Sequence, residues 1–305
     1  DDCASPEAHD VAGWDPGSDF GPAVAKLRRH LVGEFDILDE EVALRLARTY
    51  VFFGFGAEAL AVVALADPAS ADLRAAGTIG EVLEYGASPD LRELAKLECK
   101  SPLSLWSALS FDHIPEDVVF DEDAAIRHLR ELPRHLRTIV APQLSMRLRA
   151  RGSLDKAALI MHEAERAEGV LSAEGRLENA QIRSVQTGAG QTEQEVRDIL
   201  AEGNQEAPRA LISFINQQVE KGDEISAEIA LLAESFALQF RGTEIERDLI
   251  AAQMIALAKS RQFNAAFALL YSQTDDSRGL MRRSTNTLFD TLTGTSDDVT
   301  FLKYA

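Results

Sequence analysis

The residues best equipped for chemistry in this chain are its arginines. From Arg127 to Arg151 there are seven, Arg127, Arg130, Arg134, Arg137, Arg147, Arg149 and Arg151, against one acidic residue, Glu131. They stand in a 305-residue chain whose formal net charge is −19. A guanidinium is a planar fork that grips carboxylates with two parallel hydrogen bonds. Three readings of this belt follow: a surface neutralised by acidic neighbours such as Glu116, Asp117, Asp121, Glu122 and Asp123, a docking site for an acidic peptide or carboxylate, or a nucleic-acid contact, against which the net charge argues. Arg147 and Arg151 are spaced to share one face of a helix, with Arg149 turned away from both.

Other constellations carry less. Ser153 and Lys156 match the Ser-x2-Lys pattern of penicillin-recognising enzymes, in which the lysine activates a serine at a helix start. The companion Ser-Asp-Asn and Lys-Thr-Gly patterns are absent, and Ser153 stands where a helix needs a cap. His9, His30, His113, His128, His135 and His162 never fall four apart on one helical stretch, so no metal site is expected. The Gly-Phe-Gly at 54–56 and Gly-Ala-Gly at 188–190 read as turns between helices, unlike phosphate-binding strand-to-helix loops. No calcium loop spacing is present, and acidic pairs such as Glu40-Glu41 read as solvated helix faces. No cofactor is expected.

Composition narrows the class. Apolar residues make up 46% of the chain, enough for a large core, while aromatics are only 7%. No apolar run approaches the length of a membrane-spanning helix. The negative charge argues against nucleic acid, whose phosphates it repels, and favours a monomer or small oligomer. The opening segment is polar and rich in Pro and Gly, as in a mature periplasmic or secreted protein; a cytoplasmic location is the alternative. In an oxidising compartment the two cysteines, Cys3 and Cys99, are able to form a disulfide; in a reducing one they are unrelated thiols.

Helical periodicity runs from Pro22 to about Thr293, broken by Gly, Pro and Asp/Ser clusters, with almost no strand signal. Asp39, Asp121 and Ser153 are expected N-caps. Within Leu46–Asp67, "LARTYVFFGFGAEALAVVALAD", two apolar helical runs flank a Gly-Phe-Gly turn. Leu46, Ala47, Tyr50, Gly54, Ala59, Val63 and Ala66 recur in kind and spacing as Leu144, Ser145, Leu148, Gly152, Ala157, Met161 and Ala164. Fainter echoes place a turn at Gly222 followed by Ala227 and Leu231, and another near Ser260 followed by Ala265 and Leu269. Units beginning near 40, 138, 208 and 246 lie close to multiples of 34–36 residues apart.

These positions resemble the tetratricopeptide repeat, a helix-turn-helix unit. The resemblance implies an all-α, right-handed superhelix of stacked antiparallel hairpins over residues 22–293, between an irregular N-terminal arm at 1–21 and a C-terminal tail at 294–305. A hairpin in such a stack is covered on both sides, which accounts for apolar runs on both arms. The resemblance also implies a non-catalytic scaffold or adaptor that holds a protein or acidic peptide, with Arg149 at a groove-lining position. The competing class is an enzyme, a hydrolase acting on cell-wall or carbohydrate material, with its site in the 74–137 region; the helical arm of soluble lytic transglycosylases prompts it.

Overall fold

Short polar caps and left-handed residues divide the chain into helices. The computed structural model describes residues 6–33, 37–66, 69–86, 88–94, 101–111, 114–115, 118–119, 121–169, 171–187, 192–243, 245–273, 282–295 and 298–304. The architecture is all-α: among the described residues no strand forms, and Val32 and Leu38 make a single isolated antiparallel bridge. Two of the expected caps are in place, the Asp39 carboxylate accepting from the Val42 N–H at 3.0 Å and that of Asp121 from the Ala124 N–H at 2.9 Å. Ser153 does not cap. Its hydroxyl instead donates to Glu122 at 3.0 Å, because a carboxylate is the stronger acceptor within reach. Cys3 and Cys99 lie outside the described residues.

The chain divides into two compact units, residues 1–178 and 179–305. The first contains α1 (Phe20–Arg28), α2 (Glu40–Phe52), α3 (Gly56–Val63), α4 (Ala71–Tyr85), α5 (Pro89–Leu94), α6 (Leu103–Leu109), α7 (Glu122–Glu131), α8 (Arg134–Ala150) and α9 (Leu154–Glu168). The division falls within α10 (Ala173–Thr187). In the first unit α2 packs against α1, α3 and α4, and α8 packs against α6, α7 and α9. The N-terminal arm is less irregular than its composition suggests. It forms two short 3-10 turns, buries Val11, and is held by the Trp106 indole N–H donating to the His9 carbonyl at 3.0 Å.

The second unit contains α11 (Glu193–Ala201), α12 (Ala207–Lys221), α13 (Ala227–Gln239), α14 (Glu246–Lys259), α15 (Phe263–Ser272), α16 (Arg282–Thr295) and α17 (Asp298–Tyr304). Here α14 is the hub, packing against α12, α13, α15 and α16. The C-terminal segment carries α17, whose Tyr304 ring stacks on Phe267 with centroids 4.3 Å apart. Lys221 and Arg197 both reach the Glu193 carboxylate, and those hydrogen bonds hold its carboxyl down at about 2.

Four helix-to-helix turns close by one pattern. Gly54, Gly152, Gly222 and Arg261 take left-handed φ values of 84°, 86°, 77° and 62°. Each donates its N–H to the carbonyl three residues back, at Val51, Arg149, Val219 and Ala258. The next N–H in each case reaches five residues back, to Tyr50, Leu148, Gln218 and Leu257, at 2.8–2.9 Å. This is the Schellman closure, which satisfies helix-terminal carbonyls while the chain reverses. Counting back from the left-handed residue, positions eight, seven and four are buried every time: Leu46, Ala47 and Tyr50; Leu144, Ser145 and Leu148; Phe214, Ile215 and Gln218; Gln253, Met254 and Leu257. Five residues forward, Ala59, Ala157 and Ala266 are fully buried. The fourth turn therefore sits one residue later than its sequence suggests, at Arg261, so Ala266 is buried and Ala265 exposed. The third hairpin departs from the set. Its connection is longer, Ala227 is exposed, and α13 packs chiefly on α14.

The apolar arm α3 is covered on two sides, by α2 and by α4. Its approach to α4 is set by glycine: a Cβ on Gly56 would meet the Gly80 carbonyl oxygen at 2.4 Å. That neighbour is backbone and has little room to yield. Gly56→Ala is expected to cost about 1–3 kcal/mol through overpacking, read as a lower denaturant midpoint with an unchanged slope. An unchanged midpoint would mean that α3 and α4 are not in this contact.

Candidate arginine-rich binding face

Helices α7 and α8 and the turn that follows α8 carry all seven arginines of the belt, and the structure divides them by what each guanidinium meets. Arg147 is only 5% exposed. Its Nε donates to the Phe111 carbonyl at 2.8 Å, its Nη1 to the Gln143 carbonyl at 3.1 Å, and its Nη2 to the Gly86 carbonyl. Arg151, four residues on, shares that face as its spacing requires and donates to the carbonyls of Pro115 and Val118 at 3.0 and 3.1 Å. Both cations thus fasten α8 to backbone carbonyls of the segment after α6, and Arg147 also ties it to the end of α4.

Arg149 turns the other way, toward α10. Its Nη2 lies 2.8 Å from Glu178 Oε2 and its Nε 3.0 Å from Oε1, and the Ser145 hydroxyl adds a third donor at 2.9 Å. The Glu178 side chain is fully buried and that of Arg149 one-quarter exposed. Burial pushes the Glu178 carboxyl above its usual range, outweighing the opposing pull of Arg149 and Ser145. The resemblance places Arg149 on a ligand groove; in the structure its fork is committed to an internal carboxylate.

Of the remaining four, Arg130, Arg134 and Arg137 lie near the C-terminal half of α9. Arg130 on α7 grips Glu163 on α9 with both arms of its fork, at 2.7 and 2.9 Å, and each side chain stays well exposed, 46% and 37%. That hydrogen-bonded pair holds the Glu163 carboxyl below its usual range and the Arg130 guanidinium above its own. Arg134 donates to the Ala167 carbonyl in the last turn of α9, where the helix dipole favours a cation. Arg137 lines a cleft with Arg130, Thr138, Ile160, Glu163 and Ala164, and its Nε is buried with no hydrogen-bond partner. Arg127 is exposed. The cleft's volume is about 30 Å³, comparable with one water molecule or a carboxylate head.

Ser153 and Lys156 meet at one acceptor: Lys156 Nζ lies 3.1 Å from Glu122 and 2.9 Å from Asp123, joining the starts of α7 and α9. His128 pairs with Glu131 at 2.6 Å, and His135 donates to the Phe52 carbonyl at 2.6 Å. Within the 74–137 region, Asp121, Glu122, Asp123 and Glu131 are all engaged in these caps and pairs. Among the described residues no group of three or more His, Cys, Asp or Glu is placed to hold a metal ion, and no helix is long and apolar enough to cross a membrane. Glu178 escapes sequence reasoning because nothing marks one glutamate of α10 as buried. The only available signal is Ser145, a polar residue at a repeat position otherwise held by Ala47, Ile215 and Met254.

Comparison with protein-family models, with curated proteins and with solved structures finds no match.

Arg147→Ala is expected to remove about 3 kcal/mol of stability, since it strips donors from three carbonyls at once, whereas Arg127→Ala should change stability by less than about 0.5 kcal/mol. Paired denaturant titrations decide this; equal losses would refute the division of roles. Glu178 generates a pH expectation. Its folded-state affinity for a proton is raised above that of the unfolded chain, so its contribution to stability is greatest at low pH and declines as pH rises from the ordinary carboxyl value through the raised one. Glu178→Gln should abolish that component of the slope in unfolding measured from pH 4 to pH 8.

Proposed function

We propose that this chain is a non-catalytic scaffold whose tetratricopeptide-like hairpins, wound within each unit in that family's right-handed manner, hold an acidic peptide or protein segment. The observation that carries the reading is the fourfold recurrence of one turn closure with one burial pattern around it. Within a unit, hairpins built on a common register offer repeated helix faces, and such faces serve extended recognition. The arginine-rich face supports the choice of ligand. Arg127, Arg130, Arg134 and Arg137 gather on α7 and α8, and local positive charge of this density within a −19 chain suits a carboxylate-rich partner.

Charge reversal at a residue without structural duties tests this. Partner captured on the wild-type chain from its native source, purified and titrated calorimetrically, should bind Arg127→Glu at least about tenfold more weakly. Added salt should weaken the wild-type complex by shortening its lifetime. Equal affinity for both chains, without salt dependence, would remove the arginine face from the function.

A further inference from the structure

We propose that the cleft between α7, α8 and α9 is a carboxylate-exchange site, in which Glu163 occupies the position that an acidic side chain of the bound segment takes on Arg130 and Arg137. This rests on the scaffold reading and names the contact through which it operates. Arg130 and Glu163 meet fork to fork at 2.7 and 2.9 Å. That arrangement is the one by which a guanidinium recognises any carboxylate, and here the carboxylate is supplied from within. The pair is not locked in the core, since 46% of Arg130 and 37% of Glu163 side-chain surface is open to solvent. Exposed pairs of this kind are worth little in water, so an incoming carboxylate displaces one at small cost.

Arg137 provides the gain. Arg137 lines the same cleft, and its Nε is shielded from solvent and has no acceptor. A buried donor left unsatisfied is costly, and a carboxylate head that takes the place of Glu163 and reaches this nitrogen relieves that cost while engaging Arg130. Glu163 alone serves Arg130 and leaves Arg137 Nε unmet. A ligand carboxylate that bridges the two guanidiniums is therefore preferred over the internal one. Once displaced, Glu163 remains near Arg166 and His162, which already bear on its carboxyl.

The probe is a fluorescein-labelled hexaglutamate peptide titrated into the full chain at low salt. Glu163→Gln keeps the shape and removes the competing charge; it should bind the peptide about tenfold more tightly than wild type. Arg137→Gln should bind about tenfold more weakly. Arg137→Lys, which keeps the charge but loses the fork, should fall with it, and a thermal melt of each variant checks folding. On saturation with peptide, the Glu163 carboxyl followed by carbon-13 NMR should return toward its ordinary titration range. Binding that ignores both the Glu163 and Arg137 variants, with the Glu163 signal unmoved, overturns the exchange site while leaving the scaffold reading intact. No binding by any variant, Glu163→Gln included, removes both. An oligothymidylate of equal charge that competes as well as the peptide overturns the choice of carboxylate over phosphate.

Discussion

Reversing a helix within a few residues, without leaving its last carbonyls bare, is the constraint on which the rest of this fold depends. The Schellman closure meets it, but only if one residue adopts a left-handed conformation. Three of the four turns place glycine there, at no steric cost. The fourth uses Arg261 at φ 62°, a conformation that costs an L-residue roughly 1 kcal/mol. Its guanidinium lies 2.8 Å from Glu224. Because the closure fixes which carbonyls are used, it also fixes the rotation of the preceding helix. The residues eight, seven and four before each turn are thereby carried to the buried side whatever their type. Leu46, Leu144, Phe214 and Gln253 differ widely, yet all are buried at the same place.

That fixed rotation explains why a run of arginines does several jobs. Arg147 lies five residues before Gly152 and Arg149 three before it, so the turn alone sends their side chains in different directions. One meets the carbonyls of Phe111 and Gly86, the other meets Glu178 on α10. Arginine suits both duties because its fork spreads charge over several donors and is less costly to desolvate than an ammonium. Arg130 and Arg137 precede these by more than two helical turns and lie where α7 and α9 leave α8 partly open. Position relative to the turn separates the structural arginines from the surface ones.

Local features were legible in the sequence. The turn glycines, the Asp39 and Asp121 caps, the helical period and the matched pair of clear hairpins all depend on residues within about ten positions of one another. What escaped depends on contacts across long separations. Arg149 finds Glu178 29 residues away, and Arg147 finds Phe111 36 residues away and Gly86 61 away. No periodicity encodes such pairings. Ser153 shows the same limit: it stands at the expected helix start, but its side chain is drawn from the cap to Glu122, 31 residues distant. The fourth turn was misplaced by one residue because Ser260 resembles a turn former and Arg261 does not; the closure, not the propensity, selects the left-handed position.

The electrostatics of the arginine face differ with distance. Beyond the screening length the summed field of a chain carrying −19 is largely damped, and what remains has the wrong sign to attract an acidic segment. Within about 8–10 Å, the screening length at physiological salt, only the nearest charges count, and around the α7–α9 cleft those include Arg130 and Arg137, with Arg134 at the adjoining end of α9 and Arg166 acting on Glu163, the carboxylate that opposes them. A partner approaching this face gains no steering and associates at an ordinary rate or below. Its selectivity has to be expressed after contact, in how long the complex lasts. That favours short-range, directional contacts over diffuse charge, and a guanidinium fork facing a carboxylate-sized space provides them.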